Sequence, residues 1–225
     1  IGHYFGVAVS LGVNGDVMAV GSFDEGGSGV PGLDPLLDED DPLVGTGAVY
    51  VFKRNGSTWS EIAKLKAANA EQEDSLGIAV AISNDGNTVA AGALDEDGLT
   101  TGVNSTPVPD VHENTFAGAA YVFVREGDAW SQQAYIKSTN ISPNDWFGSR
   151  LALSADGNTL AVGSQLEDSA SQGIGGRQDD DSATESGAVY LFTRNNNVWT
   201  QDAYVKGANT ENYDEFGSSI SLSGD

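Results

Sequence analysis

The chain has 225 residues, with 33 Asp and Glu against 10 Lys and Arg, and a formal net charge of −23. That excess argues against nucleic acid and anionic membrane as partners, because both need a basic face; it favours hard divalent cations with oxygen ligands. Cysteine is absent, so disulfides and thiolate sites are excluded; no apolar run is long enough for a membrane span, no signal peptide is visible, which leaves a mature chain or a piece of a longer one as the expectation, and 39% hydrophobic residues suffice for a packed core.

In chain order the first landmark is Phe5-Gly6, followed by a turn at Val13-Asn14-Gly15-Asp16 and a corner at Gly21-Ser22. An acidic stretch leads to the strand Gly47-Ala48-Val49-Tyr50-Val51-Phe52, then to Trp59 and Lys66. The series then starts again. Leu76-Gly77, Asn84-Asp85-Gly86-Asn87, Gly92-Ala93, Gly118 to Phe123, Trp130 and Lys137 keep the first register at a spacing of 71. It returns from Phe147-Gly148, with Trp199 and Lys206 at a spacing of 69 from their predecessors. The third repeat shows the strands most clearly. Phe147–Ser154 alternates as a strand, and Ala155-Asp156-Gly157-Asn158 is a tight hairpin signal. Residues 159–164 form a compact apolar strand, and Gln165–Ser186 is a long polar loop. Gly187–Thr193 is a third strand, 194–197 a turn, and Val198–Lys206 a fourth strand. Phe216-Gly217 opens a fourth repeat, with a first strand expected over Phe216–Ser223.

The reading is all-β: three full repeats of four antiparallel strands, at residues 1–73, 74–144 and 145–213, and the first strand of a fourth over 214–225. Tandem four-stranded units are the pattern of β-propeller blades. These residues resemble the FG-GAP repeats of integrin α-subunit propellers and of bacterial surface and adhesin proteins. The Phe-Gly pair, the glycine corner and the Gly-Ala-Val-Tyr-Val-Phe strand carry the likeness over essentially the whole chain. The Asp lead-in stands at Asp74, Asp145 and Asp214, with His3 in its place in the first repeat. The resemblance implies a calcium loop of the Asp-x-Asp-x-Asp-Gly type between strands one and two. Here that connection is a short turn with too few oxygens for calcium, so the family's calcium site does not carry over. Three blades leave two open faces, so further repeats or copies of the chain are expected as partners, joined head to tail or completing a propeller.

The acid is concentrated elsewhere. The three loops between strands two and three hold 18 of the 33 acidic residues, with Arg177 the only basic residue among them. Asp24, Glu25 and Asp40 in the first loop, Asp95, Glu96, Asp97 and Asp110 in the second, and Glu167, Asp168 and Asp180 in the third are the candidate calcium ligands. Asp, Glu and backbone carbonyls are the right ligand types, and Gly29, Gly102 and Gly173 let each loop fold back. The competing reading is a solvated, self-repelling loop that confers solubility. Asn55, Asn104 and Asn140 open N-x-[ST] sequons and are the candidate glycosylation sites.

No catalytic residue is assigned. His3 and His112 stand at unrelated positions, and a repeated array of similar loops argues against one unique active site. The three repeated tryptophans read as inter-blade packing, with sugar stacking as the rival. The functional expectation is a non-enzymatic extracellular module of a surface, adhesin or fibre-forming protein, stiffened by calcium and binding glycans or a surface protein. A lectin-like propeller is the alternative, and a polysaccharide-active enzyme stands behind it.

Overall fold

The structure is a computed structural model, and it describes residues 3–26, 44–98, 100–104 and 115–223. Among these residues there is no helix. Twelve strands form three separate four-stranded antiparallel sheets. The first contains β1 (Val9–Leu11), β2 (Val17–Ser22), β3 (Ala48–Asn55) and β4 (Thr58–Leu65). The second contains β5 (Leu76–Ile82), β6 (Thr88–Ala93), β7 (Ala119–Glu126) and β8 (Ala129–Ile136). The third contains β9 (Phe147–Leu153), β10 (Thr159–Ser164), β11 (Ala188–Asn195) and β12 (Val198–Val205). Each sheet pairs its strands in chain order, as successive hairpins dictate. In the third repeat each expected strand begins and ends within two residues of the observed one.

Turn chemistry sets the register. Gly15, Gly86 and Gly157 take φ of 61°, 71° and 71° in the first hairpin of each sheet, a region that glycine enters without steric cost. Asp85 and Asp156 brace the second and third of these turns, each accepting from the Ser83 or Ser154 hydroxyl and from the Asn87 or Asn158 backbone N–H. The last hairpin of the third sheet uses Asn196 and Asn197 at φ 50° and 66°, the asparagine-rich pattern of a type I′ turn. In every sheet the third and fourth strands are offset by a bulge, after Val51, Val122 and Leu191. The bulge leaves Ile62, Gln133 and Asp202 unpaired on the fourth strand and re-aims their side chains.

The sheets pack by bringing backbone against backbone. Leu76 of β5 bridges Gly47, and Phe147 of β9 bridges Gly118, so each new sheet starts against the strand-three entry of the one before. Gly92 lies against Gly148, and Gly21 against Gly77; a Cβ on Gly21 or Gly92 would collide with the opposing carbonyl oxygen. Val49, Leu76, Ala91 and Tyr121 share one apolar cluster across the first and second sheets, and Val122, Phe147, Val162 and Tyr190 another across the second and third.

Two segments differ from the expectation. β1 is only three residues long, and residues 214–223 form no strand. The fourth Phe-Gly corner nevertheless docks as the others do. Phe216 N–H donates to Ser186 O at 2.9 Å, and Arg150 Nε donates to Ser218 O at 3.0 Å. Each first strand earns its ladder from the second strand of its own sheet. No such partner lies beside residues 216–223 among the described residues, so the segment sits on the third sheet without extending into a strand.

Candidate functional site

The acidic loops begin at the corner after each second strand, and the corner is built around one buried carboxylate. Glu25, Glu96 and Glu167 occupy equivalent positions, and all three are buried. Their backbone carbonyls accept from Gly47, Gly118 and Gly187 N–H at 2.9, 2.9 and 2.8 Å, which ties the loop entry to the third strand. Their side chains meet the lysines that close each repeat. Lys206 Nζ donates to Glu167 Oε2 at 2.7 Å, and Lys137 Nζ donates to Glu96 Oε2. Tyr204 and Tyr135 hydroxyls donate to the other carboxylate oxygen, each at 2.7 Å. In the first sheet Lys64 stands where those tyrosines stand and donates to Glu25 Oε1 at 3.0 Å. Lys66 there reaches the Glu25 and Gly26 carbonyls and the Thr46 hydroxyl. Burial would raise Glu25, but hydrogen bonding and charge from Lys64 carry its carboxyl below the usual range.

Glu167 is the most fully enclosed. Its carboxylate also accepts from Asn140 Nδ2 and from Ser169 N–H, both at 3.1 Å. Four donors on one anion satisfy most of its acceptor capacity, which makes its burial tolerable. Asn140 is thereby engaged on both sides, since its oxygen accepts from the Tyr190 hydroxyl at 2.7 Å. A glycan there would replace one of the two N–H hydrogens of that amide, directly beside the buried Glu167 carboxylate. Asn55 is exposed at the end of β3, and Asn104 is exposed with its Oδ1 accepting from Tyr135 N–H.

The other acidic residues fasten the loops or crowd around the corner. Asp97 accepts from Phe116 N–H at 2.7 Å and Asp168 from Glu185 N–H at 2.7 Å, so each pins the returning end of its own loop. Asp180 accepts from Ser182 N–H within the loop. Asp24 is half-buried in the turn after β2, and Asp95 accepts from the Ser75 hydroxyl at 2.6 Å. Burial raises the Asp95 carboxyl against that bond, with Asp97 and Glu73 adding to the rise. The lead-in Asp145 is pushed up to about 8 by burial, and then by the charges of Glu167, Asp168 and Asp181. Asp40 and Asp110 lie outside the described residues.

Among the described residues no three His, Asp or Glu side chains are grouped so as to hold a metal ion. The three corner glutamates do not fit a calcium role, because lysine ammonium groups or lysine and tyrosine donors already hold their carboxylates. The pairing itself had a signal in the sequence. Three of only ten basic residues recur at Lys66, Lys137 and Lys206, in step with Glu25, Glu96 and Glu167.

The loops also run back along the fourth strand. Gly175 N–H donates to Tyr204 O and Lys206 N–H to Gly173 O, while Asn104 N–H donates to Tyr135 O and Lys137 N–H to Gly102 O. An outer strand edge is thereby covered in two sheets, which removes an unpaired row of backbone groups.

Three antiparallel sheets, joined at Phe-Gly corners and each closed by a buried ion pair or lysine contact, define an all-β tandem-repeat protein. The pattern of the FG-GAP repeat matches residues 59–123 and 130–192, and the chain belongs to that family. No curated protein matches the sequence. Among solved structures, Sqt1 of Saccharomyces cerevisiae is similar at 10% identity and a TM-score of 0.48, over 93% of this chain and 38% of that one. A putative 6-phosphogluconolactonase of Bacteroides uniformis is similar at 13% identity and a TM-score of 0.38, over 89% of this chain and 57% of that one. The periplasmic gluconolactonase PpgL of Pseudomonas aeruginosa gives 12% identity and a TM-score of 0.34, over 88% and 56%. The chain therefore spans between 38% and 57% of the length of these structures.

Proposed function

We propose that this chain is a non-enzymatic stretch of propeller blades from an extracellular surface, adhesin or fibre-forming protein, and that it works by stacking on further blades of its own kind. One observation carries this reading. Phe5, Val7, Val9, Leu11 and Val13 form an exposed apolar row along the first strand. The equivalent row in the second sheet, Leu76, Ile78, Val80 and Ile82, is buried or half-buried and lies against the first sheet. Gly6 has a φ of 90°, close to the 99° and 91° of its counterparts Gly77 and Gly148 in their close backbone contacts, yet a Cβ there would meet nothing. A surface shaped for a preceding sheet and left open calls for one, from the same longer polypeptide or from a second copy. Sedimentation and negative-stain imaging of the native material test this. Elongated assemblies or completed rings are expected, and a compact 23.3 kDa monomer with the Phe5–Val13 row in contact with nothing overturns it.

Calcium belongs to the same proposal as a stabiliser of the loop rims. The corner glutamates are held by protein groups, so the ion acts on the carboxylates crowded beside them, Asp95 and Asp97 in the second loop and Asp168 and Asp181 in the third. Millimolar EDTA should then lower the melting temperature and increase proteolysis within 24–41, 95–113 and 167–185, and calcium should reverse both at matched ionic strength. Equal stability and cutting in both conditions removes calcium from the proposal.

A lectin-like reading has one observation of its own. A cleft of about 270 Å³ between β4 and β8 is lined by Ile62, Lys64, Trp130, Ser131 and Gln132, and the Trp130 indole N–H is buried without an acceptor. Glycan-array binding that Trp130→Ala abolishes would favour it over the blade-stacking reading.

A further inference from the structure

Asparagine is followed by glycine twice in the chain, at Asn14-Gly15 and Asn55-Gly56. This dipeptide is chemically reactive. The glycine backbone nitrogen attacks the asparagine side-chain amide, and no Cβ on the glycine hinders the approach. Both asparagines are exposed, but the fold holds their peptide groups differently. The Asn14–Gly15 peptide is fixed at both of its polar atoms. Gly15 N–H donates to Gly12 O at 2.9 Å, and Asn14 O accepts from Arg54 Nη2 at 3.3 Å. The equivalent glycines Gly86 and Gly157 donate to Ser83 O and Ser154 O in the same way, at 3.0 and 2.9 Å. Asn55-Gly56 lies in a different turn, the short loop between β3 and β4 that the Asn55–Thr58 pair closes. Gly56 takes φ 62°, and a Cβ there would meet nothing. Among the described residues its N–H has no acceptor, and the Asn55 side-chain amide makes no hydrogen bond. Asn195 holds the same hairpin position in the third sheet and is also exposed, but Asn196 follows it and carries a side chain.

We infer that Asn55 is a site of spontaneous deamidation in the folded protein, while Asn14 is protected. In the reaction the Gly56 nitrogen gives its proton to hydroxide and forms a bond to Asn55 Cγ. The side-chain nitrogen takes a proton and leaves as ammonia, which closes a succinimide ring. Water then opens the ring at either carbonyl. One opening gives aspartate; the other gives isoaspartate, with the chain running through the former side-chain carbon. The balance is amide plus water to carboxylic acid plus ammonia, with no oxidant or reductant. A hydrogen bond that occupies the glycine N–H opposes the first step, and Asn14 is guarded in that way. The product carries a carboxylate at the position that Glu126 holds in the second sheet. It also erases the Asn55-Gly56-Ser57 sequon, since an N-linked glycan needs the amide. Deamidation and glycosylation therefore compete for one nitrogen. This site is independent of the exposed β1 row and of the calcium rims, so its test and theirs fail separately.

The test is peptide mapping by mass spectrometry, with aspartate and isoaspartate forms separated by chromatography, on the folded, unglycosylated chain held at mildly alkaline pH. The peptide containing Asn55 should convert progressively to both acidic forms. The peptide containing Asn14 should convert about fivefold or more slowly, because one backbone hydrogen bond must break first. The peptide containing Asn195 should stay an amide. The same incubation in urea removes the fold. There Asn14 should convert as fast as Asn55, because both precede glycine, and Asn195 should remain slow. Gly56→Ala, at a position free of contacts, should slow conversion of Asn55 in the folded chain while the melting curve stays cooperative. Equal conversion of Asn14 and Asn55 in the folded chain, or conversion of Asn55 in urea alone, overturns the inference. So does a gap between Asn14 and Asn55 that persists in urea, since local sequence and not the fold would then set the difference.

Discussion

Replacing Lys206 by Met isolates the forces at the third corner. Lys206 and Glu167 are buried side chains whose contact is 2.7 Å. Methionine nearly conserves the volume of the lysine stem, so the cavity term is small. What changes is the charge balance. Glu167 keeps three neutral donors, from Tyr204, Asn140 and Ser169, and loses its one cation. An uncompensated buried carboxylate costs about 3–5 kcal/mol. A domain's whole stability is about 5–15 kcal/mol, so this is a large share. The double variant Lys206→Met with Glu167→Gln removes both charges and keeps acceptors for the tyrosine and the asparagine; it should recover most of the loss. Urea unfolding followed by tryptophan fluorescence measures both, because Trp199 is buried in the same sheet. Added calcium should not rescue Lys206→Met, since the carboxylate faces protein donors and is enclosed. A loss below about 1 kcal/mol, an equal loss in the single and double variants, or full rescue by calcium would refute the assignment of Glu167 as the counter-ion that closes the sheet.

The remaining expectations concern packing and pH. Trp199→Ala should cost about 3–5 kcal/mol, and Trp59→Ala less than about 1 kcal/mol, because Trp199 is 2% exposed and Trp59 is 38% exposed; equal losses would show that position in the repeat, and not burial, sets the cost. Gly92→Ala should destabilise by roughly 3 kcal/mol or more, since its Cβ would strike the Gly148 carbonyl across the sheet junction, whereas Gly6→Ala strikes nothing and carries only the strain of its positive φ. Asp145, pushed up from 3.8 to about 8 chiefly by burial, binds its proton more tightly folded than unfolded. Its stabilising contribution is therefore complete below pH 3.8 and declines as pH rises towards 8. Asp145→Asn should flatten that decline in denaturation midpoints measured from pH 5 to 8, and an unchanged slope would place the effect elsewhere.

The strands were legible because their signals are local. Alternation over 147–153, the Asp156-Gly157-Asn158 turn and the apolar run of β10 each specify structure within a few residues, and the repeat multiplies every signal by three. The corner pairs were less legible. Glu167 and Lys206 are 39 residues apart, and their pairing depends on β11 lying between β10 and β12. Acid clusters in sequence suggested a metal, while the fold turns the glutamate of each cluster inward to a lysine and uses Asp97 and Asp168 to pin the loop ends. The fourth repeat shows the reverse failure. Phe216 to Ser223 has a strand's pattern, but a strand is a property of two segments, and among the described residues none pairs with it.

Burial at equivalent positions shows how the sheets depend on one another. Tyr50, Tyr121 and Tyr190 hold the same register, and Tyr121 and Tyr190 are fully buried while Tyr50 is only partly so. The tryptophans grade likewise, from exposed Trp59 through half-buried Trp130 to buried Trp199. Their chemistry follows the facing bulge residue. Gln133 accepts from the Trp199 indole at 3.0 Å, whereas its counterpart in the first sheet, Ile62, has no acceptor to offer Trp130. The side chain is the same in each case, so its environment is set by the preceding sheet. Stability in such an array is a sum of intrinsic and nearest-neighbour terms. A substitution on the shared face of the first sheet is therefore felt in the second, and one on the exposed β1 row should be felt only when another sheet covers it. Val9→Lys separates the two cases. It should leave the melting temperature of the isolated chain nearly unchanged and lower that of the assembled material, and an equal drop in both would mean that the row is not an interface between sheets.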